Sequence, residues 1–197
     1  MANICMDTVV FYAASDEQEC GLATLRKALI ACYPTGTSVD GSMLCRIFER
    51  SGIPTEGLCL RSDVVDTSLV EDGHITLYCD SAWSPKYEAY LRLANYFNVS
   101  FELQAEEPGC GIYINTDING SYLTAHYKAY LSERAADGSL DALFDAAEGD
   151  TDFYFETDKE MFQWFQERGG ISAATLEELK EHLDEDCVSI HEFVNPY

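Results

Sequence analysis

The amino-acid sequence predicts an α+β fold built on a split β-α-β antiparallel sheet with two helices on one face. The first observation is the order of the periodic segments: strand, helix, short extra helix, strand, strand, helix, strand. The second is a hydrophobic content of 47% over 197 residues, which is enough to bury a core. No apolar run reaches the ~18 residues that a membrane-spanning helix needs.

The first two elements are a strand and an amphipathic helix. The strand lies within residues 1–14, where β-branched and aromatic side chains are frequent. The helix is predicted from apolar residues that recur at intervals of three and four, namely Leu22, Leu25, Leu29 and Cys32. Pro34 and Gly36 are typical of the end of such a helix.

A short helix over residues 38–50 follows, with Asp40 as its predicted N-cap. It is an insertion relative to a minimal β-α-β unit. Two strands come next, one between Leu58 and Val70 and one over residues 74–79, with the turn between them at Gly73.

Ser84 and Pro85 predict the start of the second long helix. Serine accepts a hydrogen bond from an early backbone N–H, and proline has no N–H to satisfy there. The buried stripe of this helix consists of Tyr87, Tyr90, Leu91, Ala94 and Phe97. A half-buried strand is predicted next, because Val99, Phe101 and Leu103 alternate with polar residues. These elements complete a ferredoxin-like arrangement.

An edge hairpin is predicted to extend this sheet. Residues 106–111 form a bend, after which Ile112 and Ile114 continue as a strand. Asn119-Gly120 is a signal for a type I′ turn, since both residues tolerate positive φ. Alternating residues up to Leu131 then form the second hairpin strand. The sequence therefore predicts a first domain over residues 1–131.

Residues 132–197 are predicted to form an acidic, α-rich C-terminal part packed on the first domain. Thr157 with Glu160, and Thr175 with Glu178, have the spacing of capping boxes at two helix starts. Brief strands are predicted at residues 153–155 and 188–190. Residues 133–192 contain 18 acidic and 4 basic residues.

Three short motifs resemble those of the YubB-like or Api92-like family. In chain order they are Asn3-Ile4-Cys5-Met6-Asp7-Thr8, Ala82-Trp83-Ser84-Pro85 and Glu107-Pro108-Gly109-Cys110-Gly111. The family pattern has Trp in place of Ile4 and Asn in place of Asp7. The resemblance covers roughly residues 1–131. It implies a ferredoxin-like domain of the kind found on plasmids, phages and integrated elements, and it implies no known activity.

Eight cysteines are present, but no pair has CxxC spacing and the N-terminal residues do not resemble a signal peptide. Disulfide frameworks are typical of small exported proteins. We therefore expect reduced, mostly buried thiols in a cytoplasmic protein, with no metal ion and no other cofactor.

The candidate catalytic residues have simpler structural explanations. Glu106, Glu107 and His126 contain the groups of a carboxylate–imidazole set, but general acid–base catalysis needs a geometry that no spacing here guarantees. Gly109 and Gly111 lack the other residues of a phosphate loop and instead predict a bend. The remaining histidines are scattered singly, which is not typical of a metal site: His74, His182 and His191.

Two aromatic features also have structural interpretations. Trp83, just before a helix start, fits a hydrophobic staple. Tyr122, His126 and Tyr130 on one face of the predicted hairpin resemble a base-stacking surface, but such surfaces have basic surroundings. With 12 basic and 35 acidic residues, the chain has a formal net charge of −23. It should repel nucleic acids and anionic membranes and attract basic proteins.

We therefore expect a non-enzymatic, acidic protein-interaction module of a mobile element. Its sharpest form is a nucleic-acid mimic that occupies a basic groove of a host restriction or CRISPR protein. The carboxylates expected to bind this basic, nucleic-acid-binding partner are Asp141, Asp145, Glu148, Asp150, Asp152, Glu177, Glu178, Glu181, Asp184, Glu185 and Asp186. One alternative is a structural or dimerising module whose acidic surface serves solubility. The other is a small-ligand-binding or accessory enzyme domain that uses the Glu107–Gly111 bend and His126.

Overall fold

The computed structural model describes residues 3–33, 44–69 and 73–197, which form two compact units. The first unit comprises Met1–Asp117 together with Pro196–Tyr197, and the second comprises Ile118–Asn195. Each unit has its own sheet and its own hydrophobic core. The division after Asp117 differs from the predicted boundary at Leu131. No helix in the described ranges is long and apolar enough to cross a membrane.

A five-stranded antiparallel sheet forms the centre of the first unit. Its strands are β1 (Ile4–Tyr12), β2 (Ser62–Ser68), β3 (His74–Ala82), β4 (Ser100–Glu107) and β5 (Ile112–Asn115). Their spatial order is β2-β3-β1-β4-β5. The first four strands and the helices between them have the ferredoxin-like arrangement predicted from the sequence.

The helices of the first unit cover one face of this sheet. They are α1 (Glu19–Cys32), α2 (Cys45–Ser51) and α3 (Tyr87–Phe97), and α1 contacts both of the others. Alternate residues of β1 are buried toward the helices, namely Cys5, Asp7, Val9 and Phe11. The predicted apolar stripe of α1 is confirmed as buried. The predicted N-cap Asp40 lies outside the described residues.

The predicted edge hairpin does not form. β5 pairs with β4, whereas β6 (Tyr127–Leu131) pairs with β7 (Asp152–Phe155) and β8 (Val188–Glu192) in a second sheet. The chain does turn between β5 and β6, but of Asn119-Gly120 only Gly120 has a positive φ, 63°, so the turn is not type I′. Alternation specifies which face of a strand is buried, and it does not specify the partner strand.

The second unit is a three-stranded antiparallel sheet in the order β7-β6-β8 with three helices. The helices are α4 (Asp141–Ala146), α5 (Asp158–Gly169) and α6 (Leu176–Glu181). Both predicted threonine caps are confirmed: the Thr157 hydroxyl accepts from Glu160 N–H at 3.2 Å, and that of Thr175 accepts from Glu178 N–H at 3.1 Å. The glutamate side chains reach back one residue beyond the cap, where they accept from Glu156 N–H and Ala174 N–H. The two strands predicted in this part of the sequence are present as β7 and β8.

Candidate functional site

The three sequence motifs meet at one end of the first sheet. Because β1 pairs antiparallel with both β3 and β4, the start of β1 lies between the ends of those two strands. Trp83 N–H donates to the Asn3 carbonyl oxygen at 2.9 Å, and Asn3 Nδ2 lies 3.8 Å from Cys110 Sγ. This region, residues 3–8, 82–85 and 107–111, is termed the motif end.

Asp7 is the centre of a buried hydrogen-bond cluster at the motif end. The residue is 2% exposed. Its Oδ2 accepts hydrogen bonds from Ser81 Oγ at 2.6 Å, Tyr90 OH at 2.7 Å and Lys86 N–H at 3.2 Å. Ser62 Oγ lies 2.9 Å from Ser81 Oγ and continues the chain of hydrogen bonds. One carboxylate oxygen therefore joins β1, β3 and the start of α3.

Asp7 supplies the N-terminal cap of α3, a role that the sequence predicted for Ser84. The helix begins at Tyr87, and Lys86 at the N-cap position has no side-chain cap of its own. Its backbone N–H donates instead to Asp7, which lies 79 residues earlier in the chain. A carboxylate at a helix N-terminus accepts an otherwise unpaired N–H and faces the positive end of the helix dipole.

The pKa values at the motif end indicate a structural cluster. Burial raises the pKa of Asp7, and the hydrogen bonds from Ser81 and Tyr90 oppose that rise. Burial, followed by the charge of Asp7, raises the pKa of the Cys5 thiol, and burial raises the pKa of Cys79 to about 12. Thiols with raised pKa values stay protonated, and a protonated thiol is a poor nucleophile and a poor metal ligand.

The bend after β4 begins with a second buried carboxylate. Glu107 is 3% exposed, and its Oε2 is buried and has no hydrogen-bond partner among the residues that the structure describes. A single 3₁₀ turn over Pro108–Cys110 follows, and Gly111 has a φ of 66°, in the left-handed region that favours glycine. A Cβ at Gly109 would lie 3.0 Å from both Glu107 Oε1 and Asn3 Nδ2. Both glycines therefore have the structural role predicted for them.

Glu107 and His126, on which the enzyme alternative depended, lie in different units. His126 precedes β6 and is bound through its backbone to the second sheet. Because the predicted hairpin does not form, the sequence gives no reason to expect Glu107 and His126 in one site. Tyr122 lies outside any strand, so it does not share a strand face with Tyr130 as predicted.

All eight cysteines are free thiols. Four are buried, Cys5, Cys32, Cys79 and Cys187. Three are exposed, Cys20, Cys59 and Cys110, so the expectation of mostly buried thiols holds for only half of them. Within the part of the chain that the structure describes, no three His, Cys, Asp or Glu residues are grouped so that they could hold a metal ion.

The eleven acidic residues predicted to bind a partner all lie in the second unit and are all exposed. Some take part in ion pairs: Arg134 pairs with Asp141 at 3.5 Å and with Asp145 at 2.6 Å. The buried Lys128 pairs with Asp152 at 2.7 Å. The unit contains 18 acidic and 5 basic residues, so these pairs leave it strongly negative.

Two acidic segments flank the end of β6. Leu131 N–H donates to the Thr151 carbonyl on one side, and Ser132 N–H donates to the Cys187 carbonyl on the other, both at 2.8 Å. Residues 148–152 lead into β7 and residues 184–186 into β8. Since β6 lies between these strands, β7 and β8 are separated by two strand spacings, about 10 Å, where the two segments enter them.

The carboxylates of these two segments are together termed the acidic end: Glu148, Asp150, Asp152, Asp184, Glu185 and Asp186. The structure thus brings together six of the eleven predicted residues. The other five lie on two helices, Asp141 and Asp145 on α4 and Glu177, Glu178 and Glu181 on α6.

Glu133 belongs with the acidic end but was not singled out from the sequence. It lies two residues after the end of β6, between the two segments. The pKa of Cys187 is raised first by burial and then by the charges of Asp184, Glu133 and Asp186, which lie around its thiol. Only the strand order β7-β6-β8 places Glu133 in this group, and no local sequence signal gives that order.

The fold and its surface define a ferredoxin-like domain followed by an acidic α+β unit. Residues 65–133 match the family model described as the ferredoxin-like domain in Api92-like protein. The match includes two of the three motifs and confirms the resemblance to the Api92-like family over this segment, about a third of the chain. No curated protein and no solved structure gives a significant match.

Proposed function

We propose that this protein binds a basic, nucleic-acid-binding partner through the acidic end, as a mimic of nucleic acid. The observation that carries the proposal is the arrangement of six exposed carboxylates in two segments, which enter strands about 10 Å apart. In B-DNA, two rows of phosphates border grooves that are about 6 and 12 Å wide. Two rows of negative charge at such a spacing suit a basic cleft that accepts DNA.

The electrostatics of the second unit support the same proposal. Two of its five basic residues are held by carboxylates of the unit itself, Lys128 by Asp152 and Arg134 by Asp141 and Asp145. Lys128 offsets one of the six charges of the acidic end, and Arg134 pairs outside it, so the acidic end keeps a negative net charge. Complementary charge accelerates association with a basic partner and makes binding sensitive to salt.

The resemblance to the Api92-like family supplies the biological setting of the proposal. Families of plasmid and phage proteins encounter the defence systems of their hosts, and both restriction enzymes and CRISPR effectors hold DNA in basic channels. We therefore place the partner among cytoplasmic host defence proteins of these two kinds.

Competition for DNA tests the proposal. A restriction endonuclease and a Cas9–guide complex are each bound to a fluorescent DNA duplex, and this protein is added while anisotropy is measured. We expect release of the duplex from at least one of them at low salt and much less release at high salt. Failure to release DNA from either enzyme would overturn the proposal as stated.

A matched pair of variants separates mimicry from solubility, since solubility depends on net charge and not on its position. The first variant neutralises four residues of the acidic end: Glu148→Gln, Asp150→Asn, Glu185→Gln and Asp186→Asn. The control removes four charges of the unit that lie outside the eleven predicted residues: Glu156→Gln, Asp158→Asn, Glu167→Gln and Glu192→Gln. We expect the first variant to weaken competition by about tenfold or more and the control to change it little. Equal effects would favour a purely solubilising surface.

A further inference from the structure

We propose that the exposed part of the first sheet near the motif end, on the face that points away from α1 and α3, is a docking surface for a basic amphipathic helix of a partner protein. Elsewhere on this face Val10, Thr76 and Tyr113 are buried, so the surface is confined to that end. Three large apolar side chains are exposed on this face near the motif end, Ile4 at 56%, Met6 at 51% and Tyr78 at 41%. In the β1–β3 register, Tyr78 lies opposite Thr8, next to the Met6–Asp80 pair. The three side chains are therefore neighbours and form one apolar patch.

Trp83 lies next to this patch in the chain, since it follows Ala82, which pairs with Ile4. It is 51% exposed, and its φ of 71° places a bulky residue in the left-handed region. Its N–H is fixed by the Asn3 carbonyl at 2.9 Å. A strained backbone that keeps a tryptophan in solvent is unfavourable for folding alone, and such positions are concentrated at binding sites.

Carboxylates beside the patch identify the chemistry of the partner. Asp63 of β2 lies directly opposite Asp80 of β3, and Asp66 lies opposite Tyr78. Like charges in opposite positions on adjacent strands destabilise a sheet. A lysine or arginine of the partner would place a positive charge beside these carboxylates and reduce the repulsion.

A cavity lies at the same place and has room for such a side chain. It has a volume of about 230 Å³ and is lined by Asn3, Arg61, Asp63 and Asp80, among others. Along β1 the patch extends from Ile4 to Thr8, the residue opposite Tyr78. This is four residue steps, or about 13 Å. The apolar stripe of a helix of two to three turns has about this length, and lysine or arginine beside the stripe would face the carboxylates.

Trp83 provides the measurement. The chain has two tryptophans, so Trp164→Phe leaves Trp83 as the single reporter. The probe is a 14-residue amphipathic helix of leucine and lysine, compared with a scrambled peptide of the same composition. We expect the amphipathic peptide to shift Trp83 emission to shorter wavelength in a saturable manner. The scrambled peptide, which has the same charge, should bind more weakly and shift it little.

Variants of equal charge then test the surface itself. We expect Ile4→Ser with Met6→Ser to weaken binding of the amphipathic peptide about tenfold. The matched control is Ile118→Ser with Val194→Ser, two residues that are 72% and 52% exposed in the second unit, and it should leave binding unchanged. All four positions are exposed, so the fold should tolerate these changes.

Three outcomes would overturn the inference. One is the same emission shift with both peptides, and another is the same loss of affinity in both double variants, because either would show general attraction to a negative protein. The third is a dimer that dissociates in the Ile4→Ser, Met6→Ser variant, which would assign the patch to a second copy of the chain. Neutralising Glu148, Asp150, Glu185 and Asp186 should leave the peptide-induced shift in place, so this inference is tested separately from binding at the acidic end.

Discussion

The carboxylates of the two units have opposite surroundings. In the first unit, Asp7 and Glu107 are buried at the motif end, and Asp7 accepts three hydrogen bonds that join two strands to a helix. In the second unit, the residues of the acidic end are exposed. A buried carboxylate needs donors to offset its desolvation and so fixes its neighbours, whereas an exposed one keeps its charge available. Burial, and not acidity, therefore separates Asp7 and Glu107 from the candidates for binding, although one candidate, Asp152, also pairs with the buried Lys128.

The largest effect that tests this contrast is expected at Asp7. Asp7→Ala leaves the Ser81 and Tyr90 hydroxyls and Lys86 N–H without their acceptor, and we expect it to lower the free energy of unfolding of the first unit by about 3 kcal/mol. Asp7→Asn keeps an oxygen acceptor and should cost less than about 1 kcal/mol.

Urea unfolding measures both Asp7 variants, with Trp83 emission reporting the first unit in a Trp164→Phe background. Equal losses for alanine and asparagine would show that the charge of Asp7, and not its acceptor oxygen, stabilises the cluster. Emission from Trp164 in a Trp83→Phe background reports the second unit, which should not change.

A smaller effect on the free energy of unfolding is expected at the Lys128–Asp152 ion pair of the second unit. Its size should depend on which of the two residues is replaced. Lys128 is 5% exposed in its side chain, whereas Asp152 is 41% exposed. Asp152→Ala removes a partner of a buried cation and should cost about 2 kcal/mol. Lys128→Met replaces that cation with an apolar side chain, leaves an exposed aspartate in water and should cost only about 1 kcal/mol. Urea unfolding followed by Trp164 measures both, and the reverse ranking would contradict this assignment.

The pH dependence of stability should also have opposite signs in the two units. Burial raises the pKa of Asp7 above its ordinary 3.8, so its contribution to stability is complete below that pH and is lost as the pH rises through the folded value. At Asp152, burial alone would raise the pKa, but hydrogen bonds from Lys128 and Thr151 outweigh it and lower the pKa. The contribution of Asp152 is present above pH 3.8 and is lost as the pH falls through the lowered value.

Unfolding of wild type, Asp7→Asn and Asp152→Asn between pH 2 and 7 measures these two dependences. Relative to Asp7→Asn, the wild type should lose stability as the pH rises above about 4. Relative to Asp152→Asn, it should gain stability as the pH rises toward 4. Curves with the same sign for both positions would contradict the contrast between the two units.

The ferredoxin-like unit could be predicted because its segments are clearly periodic and their order permits few topologies. The second sheet could not be predicted, because Ala129 and Leu131 of β6 have the alternation of an edge hairpin but are buried in the second core. For the same reason, the sequence identified the acidic residues without showing that six of them flank β6. Strand pairing depends on contacts between segments that are distant in the sequence, and a local hydrophobic pattern does not specify those contacts.

Two of the predicted helix caps, Thr157 and Ser84, provide the smallest and most local comparison. Thr157 caps α5 as its sequence pattern predicts, because both the cap and the N–H it accepts lie within four residues. Ser84 has an equally good pattern, yet the acceptor for the start of α3 comes from Asp7. We therefore expect Thr157→Ala to cost about 1 kcal/mol in the second unit and Ser84→Ala to cost less than about 0.5 kcal/mol in the first. Urea unfolding with the tryptophan of each unit measures both, and a full capping loss for Ser84→Ala would show that Asp7 does not replace the local cap.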